Sequence, residues 1–169
     1  EAKAEPEVPS AWPDAESERV VPEPVEPPRW PLSGMDAPDD ASKMTRVMSV
    51  KIENSPTARP QSGLQSADVV YESVTEGGIT RFNVLLHSTM PESLGPVRSA
   101  RMSDTDIVPQ YDAMFAFSGA SGYVTRAVAS VISDNLSQDR GWTAGYRRIS
   151  SRKSPHNLYL DVAKLRAAA

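Results

Sequence analysis

Four arginines, Arg59, Arg81, Arg98 and Arg101, carry the most chemical promise in this 169-residue chain. Arg98 and Arg101 stand three apart, where a helix is expected to begin near Ser99 or Ser103. On a helix that spacing puts two side chains on one face, about 5–6 Å apart. A helix start also presents unpaired N–H groups and partial positive charge. Guanidinium groups gathered there could grip a carboxylate or phosphate. The competing reading pairs them with Asp104, Asp106 or Glu76 as structural ion pairs.

Three further groups could contribute. The loop Ser118-Gly119-Ala120-Ser121-Gly122 sits between a short apolar run and a helical pattern, where backbone amides could cradle an anion. It lacks the Lys-Ser/Thr ending of a Walker loop and the spacing of a dinucleotide fingerprint, so a close helix–sheet turn explains it equally well. His156, in Lys153-Ser154-Pro155-His156-Asn157, stands in a polar loop. Oriented by a carboxylate it could act as a general acid or base; otherwise it simply bonds loop backbone. Glu76 is the other acid/base candidate, beside Gly77-Gly78 and near Arg81. Glu72 and Glu76 do not form a catalytic pair, because four residues along one strand span about 13 Å. Two histidines, no cysteine and no HExxH spacing give no metal pattern, and no cofactor is expected.

These residues need elements to position them. Met48, Val50 and Ile52 alternate with Ser49, Lys51 and Glu53, the pattern of a half-buried strand. Val69–Thr75 and Ile79–His87 read as a hairpin across Gly77-Gly78, with Phe82, Val84 and Leu86 on one face. Residues 112–117 suit a buried strand. Ser121 is positioned to cap a helix carrying Tyr123, Val124, Ala127, Val128, Val131 and Ile132 at helical spacing. Asp161 is positioned to cap the last helix, with Val162 and Leu165 inward. Such intermixing predicts an α/β or α+β fold: one layered domain with a mixed β-sheet and flanking helices, over residues 31–169. Trp30–Gly34 is where the chain is expected to dock onto it.

Charge divides the chain at the same place. Residues 1–40 hold eleven acidic residues against Lys3, Arg19 and Arg29, a net of −8. Residues 41–169 hold 15 basic and 11 acidic residues, a net of +4. Eight of the 15 prolines lie in the first 31 residues. Proline fixes φ and removes a donor, so residues 1–30 are expected to be a disordered, acidic, polyproline-like tether. No stretch approaches the ~20 apolar residues needed to span a bilayer. The start at Glu1 rather than Met suggests an upstream signal or lipid-anchor segment.

Several motifs together carry a resemblance. Asn54-Ser55, Ala58-Arg59-Pro60-Gln61-Ser62-Gly63-Leu64, Ala67–Glu72, Glu76–Phe82, Gly95–Arg101 and Pro155–Tyr159 resemble the YerB-type bacterial lipoproteins, from about Pro31 to the C-terminus. The resemblance implies a location outside the cytoplasmic membrane, a lipid anchor as the one link to that membrane, and a second domain after residue 169. It brings no established reaction. It places Arg59, Glu76, Arg81, Arg98, Arg101, His156 and Asn157 inside family motifs.

Two functions follow as expectations. The first is a cell-envelope binding module that holds an anionic small molecule or envelope polymer in a cleft formed by Arg59, Arg81, Arg98, Arg101 and Asn157. The second is a hydrolase or transferase on an anionic envelope substrate, with Glu76 or His156 as acid/base. Nucleic acid is not expected as a partner, because the domain is only mildly basic and lacks an aromatic–basic platform.

Overall fold

Strand β1 (Met48–Glu53) sets the architecture, because all six of its residues are buried. In a computed structural model describing residues 26–169, β1 lies inside a four-stranded sheet. Its neighbours there are β2 (Val69–Val74), β3 (Thr80–Leu86) and β4 (Met114–Ala116), in the order β2-β3-β1-β4. β1 pairs antiparallel with β3 and parallel with β4, so the sheet is mixed. β5 (Tyr146–Arg148) and β6 (Leu158–Leu160) form a second, two-stranded sheet. Four short helices complete an α+β fold: α1 (Asp40–Lys43), α2 (Asp104–Ile107), α3 (Gly122–Val131) and α4 (Val162–Ala168).

The half-buried reading of β1 is corrected here. Met48, Val50 and Ile52 pack under Leu158 and Leu160 of β6, Val162 and Leu165 of α4, and Leu94, which bridges Leu160. The opposite face is covered too, by Val124 and Val128 of α3 together with Val108, Phe115 and Phe117. Ser49, Lys51 and Glu53 therefore lie under protein, not water. They are tolerated because each finds a partner. Ser49 Oγ donates to Asn83 Oδ1 at 2.6 Å, and Lys51 Nζ bonds Asp104 Oδ1 at 2.6 Å with both side chains fully buried.

Local signals account for the element ends. Gly77 and Gly78 adopt φ of +70° and +71°, which lets five residues connect Val74 to its partner Thr80. Ser121 and Asp161 cap α3 and α4 through the amides of Val124 and Lys164. Within α3, Val124 and Val128 are buried, whereas Tyr123 and Val131 stay exposed. Trp30 meets His87 edge-on at 4.8 Å between ring centres, which docks the entering chain. Of the expected tether, residues 1–25 lie outside the described residues.

Candidate functional site

Register along the sheet places the site. Glu53 pairs with Arg81 across β1 and β3, and Ser73 of β2 pairs with Arg81 on its other side. Directly opposite residues share a face. The polar face of β1 thus ends in a carboxylate beside a guanidinium, at the same end of the sheet where the loop after β4 emerges.

Arg98 and Arg101 reach this end by a route other than the expected one. α2 has only four residues and begins at Asp104, so neither arginine lies on it. The segment before it runs beside β1: Val97 bridges Ile52, and Arg98 N donates to Lys51 O at 2.9 Å. This lateral pinning sends the side chains to different carboxylates. Arg98 Nε lies 3.2 Å from Glu53 Oε2. Arg101 donates through Nε and Nη2 to Glu76 Oε2, at 3.0 and 2.8 Å. The Arg101 guanidinium holds the Glu76 carboxyl below its ordinary pKa.

Arg81 lies between them, 9% exposed, and donates to Ser99 O at 2.7 Å. Among the described residues no carboxylate lies within ion-pair distance of it. Burial first, then the charges of Arg101 and Arg98, depress its pKa to about 10. Three guanidinium groups thus face two carboxylates, Glu53 and Glu76. Beside Arg101 opens a pocket of about 370 Å³, lined also by Glu76, Ser99, Gly119, Ala120, Ser121 and Val124. The first turn of α3 and its small-residue loop form one wall. Gly119 has φ +80°, and a Cβ there would lie 3.1 Å from Ser99 Oγ, so this wall depends on glycine.

His156 belongs to a second cluster at the same sheet end. Its Nδ1 lies 2.9 Å from Glu53 Oε2, and its Nε2 3.3 Å from Thr57 Oγ1. Ser55 Oγ donates to Glu53 Oε1 at 2.7 Å. The loop holding Thr57 is clamped by Arg152, whose Nη1 and Nη2 donate to Ala58 O and Pro60 O, each at 2.6 Å.

The structure therefore gathers Arg81, Arg98 and Arg101 at one end of the sheet with Glu53 and Glu76, sets only Arg101 and Glu76 of these on the pocket wall, and gives His156 its carboxylate. It does not join Arg59 or Asn157 to them. Exposed Arg59 donates to Asn54 Oδ1 at 3.0 Å and shares no partner with the other three arginines. Asn157 accepts from Arg148 Nη1 at 2.7 Å and donates to Ile149 O, contacts that brace the β5–β6 hairpin. Nor does Asp104 serve the arginine side chains: its Oδ1 binds Lys51, and its Oδ2 accepts from Arg101 N at 2.7 Å. Glu53, Ser55 and Thr57 were not singled out from the sequence. Arg81 and Asn83 on β3 alternate as Ser49, Lys51 and Glu53 do on β1, which gives the two strands one common polar face but does not distinguish a covered face from a solvated one. Among the described residues, no three His, Cys, Asp or Glu side chains gather to hold a metal ion.

Comparison with known proteins places this geometry in a lineage. The Bacillus subtilis (strain 168) protein named "Putative lipoprotein YerB" is 34% identical over 150 residues, covering 89% of this chain and 45% of the relative. The crystal structure of YerB from Bacillus subtilis superposes with a TM-score of 0.78 at 34% identity, over 84% of this chain and 49% of that one. The chain thus spans about half the length of the relatives it matches. A family model described as "Protein of unknown function (DUF3048) N-terminal domain" matches residues 32–169, and the chain belongs to that family.

Proposed function

We propose that this domain binds an anionic group of an extracytoplasmic ligand, a small molecule or an envelope polymer, in the pocket between Arg101 and the first turn of α3. One observation carries the reading: Arg101 lines the pocket next to Arg81, a buried guanidinium with no carboxylate partner among the described residues, and the two share the carbonyl of Ser99. A buried cation without a counter-charge is costly, and an arriving anion would offset that cost. Arg101 would meet the anion first, because its present partner Glu76 is 74% exposed and free to swing into water. The amides of residues 119–122 would supply neutral donors, that of Ser118 being bound to Arg98 O.

The relative's description as a lipoprotein supports a location outside the cytoplasmic membrane with a lipid anchor. The acidic, proline-rich residues 1–30 fit a spacer between such an anchor and the domain.

Thermal unfolding with inorganic phosphate, sugar acids and anionic wall fragments tests the proposal. A ligand at 100 times its Kd raises stability by about 2.7 kcal/mol. The gain should vanish in Arg101→Gln while the unliganded protein still unfolds cooperatively. A wild-type melting temperature unmoved by every anion would sink the reading.

A further inference from the structure

The cluster around His156 holds a constellation that anion binding leaves unused, and the inference from it does not rest on the pocket. Thr57, His156 and Glu53 form a hydroxyl–imidazole–carboxylate chain, with contacts of 3.3 and 2.9 Å. We propose that Thr57 is a nucleophile activated by His156, in a hydrolase or acyltransferase acting on carboxylic esters.

Three features support this over a merely structural loop contact. Glu53 is a 5%-exposed carboxylate, held by Ser55 Oγ on one oxygen and approached by Arg98 on the other. It is thereby fixed as the acceptor for Nδ1–H, and a neutral ring with its proton on Nδ1 leaves Nε2 bare as a base. That bare nitrogen faces Thr57 Oγ1. The two hydroxyls of the cluster also differ in access, since Ser55 is 6% exposed and gives its proton to Glu53, whereas Thr57 is exposed. Thr57 Oγ1 lies 3.1 Å from Ser55 Oγ and 3.3 Å from Nε2, so its proton turns from Ser55 to Nε2 for the reaction. Finally, Arg152 clamps the backbone on the C-terminal side of Thr57, which holds the hydroxyl against a histidine 99 residues away in the chain.

The chemistry balances without a further reactant. Thr57 Oγ1 bonds to the acyl carbon as its proton passes to Nε2. The ester's C–O bond breaks, and the alcohol leaves with that proton, so Thr57 carries the acyl group. Water, deprotonated by Nε2, then cleaves the Thr57 ester and releases the carboxylic acid. Thr57 and His156 are the catalytic residues; Glu53 is a positioning residue that sets the tautomer.

The test uses the whole 169-residue chain, a fluorophosphonate probe and p-nitrophenyl acetate, with peptide mass spectrometry to locate the adduct. Thr57 should be modified in preference to other exposed hydroxyls. Modification should fall on the order of 10²-fold in His156→Gln, vanish in Thr57→Val and persist in Thr57→Ser. Nitrogen-15 NMR of the wild-type imidazole should show a protonated Nδ1 and a bare Nε2, and Glu53→Gln should reverse that assignment. Adducts spread over surface hydroxyls, or equal labelling in His156→Gln, would overturn the proposal. Should the variants not fold, the wild-type adduct map and imidazole spectrum decide by themselves: an unmodified Thr57 or an Nε2-protonated ring refutes it.

Discussion

Replacing Lys51 with methionine should cost about 3–5 kcal/mol, a large part of the 5–15 kcal/mol that holds a domain together. The side chains of Lys51 and Asp104 are both fully buried, with 2.6 Å between charged atoms. Methionine replaces the stem without strain, so the loss is not a packing effect. What remains is a buried carboxylate with two neutral donors, Asn83 Nδ2 at 3.1 Å and Arg101 N at 2.7 Å. They cannot replace a cation, and the cost of leaving a charge unpaired outweighs the loss of the pair itself. Neutralising the partner should therefore restore most of the stability. In Lys51→Met/Asp104→Asn the new amide still accepts from Arg101 N, and a flipped Asn83 amide can accept from it while its Nδ2 donates to Ser49 Oγ, the hydroxyl that now donates to Asn83 Oδ1. Urea denaturation followed by circular dichroism gives the four corners of a double-mutant cycle. The double variant should lie within about 1 kcal/mol of wild type, with a coupling of at least about 2 kcal/mol. A Lys51→Met cost under about 1 kcal/mol, or additive single costs, would show that the pair is hydrated and the reasoning wrong.

Arg81→Met should stabilise the unliganded protein by about 1–2 kcal/mol: a pKa near 10 against the usual 12.5 represents on the order of 3 kcal/mol of unfavourable charging, partly offset by losing the bond to Ser99 O. The same variant should lose any anion-induced gain, so calorimetry with and without phosphate separates the two effects. Tyr146→Phe should cost about 1–2 kcal/mol in urea titrations, because the hydroxyl donates to Leu136 O at 2.8 Å and Phe117 O at 3.2 Å. Burial also holds the Tyr146 phenol well above its ordinary pKa of 10.0, so above pH 10 the unfolded chain loses this proton while the folded one keeps it. Wild-type stability should fall with rising pH there, and Tyr146→Phe should lack that part of the fall. Gly145→Ala should cost about 2 kcal/mol or more in thermal unfolding, since φ is +77° and the new Cβ would lie 2.3 Å from Asp161 O.

The strands and caps were legible because their causes are local. Alternation along β1 and β3, the Gly77-Gly78 turn, and the Ser121 and Asp161 caps each depend on residues within a few positions of one another. The length of α2 was not legible in the same way. Ser99 and Ser103 both read as caps, yet Val97 and Arg98 are held against β1 by hydrogen bonds across about 45 residues of sequence. Tertiary pairing claimed the backbone that local propensity assigned to a helix. Arg98 and Arg101 accordingly lost their shared face and gained separate carboxylates.

The candidate site shows the same division more sharply, because its partners are distant. Glu53 and His156 are 103 residues apart, and nothing near either residue announces the other. Charged residues on the polar face of an alternating strand ordinarily meet water, and that assumption hid Lys51 and Glu53. Here α3 and the loops around it cover that face, so each polar residue must find a partner inside the protein. The network that results joins the core to the site: Asp104 neutralises Lys51 with one oxygen and fixes the Arg101 amide with the other. The position of Arg101 at the pocket is therefore set by a charge buried in the centre of the sheet. A perturbation of Lys51 should reach anion binding without touching the pocket, so Lys51→Met should weaken phosphate binding even where it leaves the domain folded.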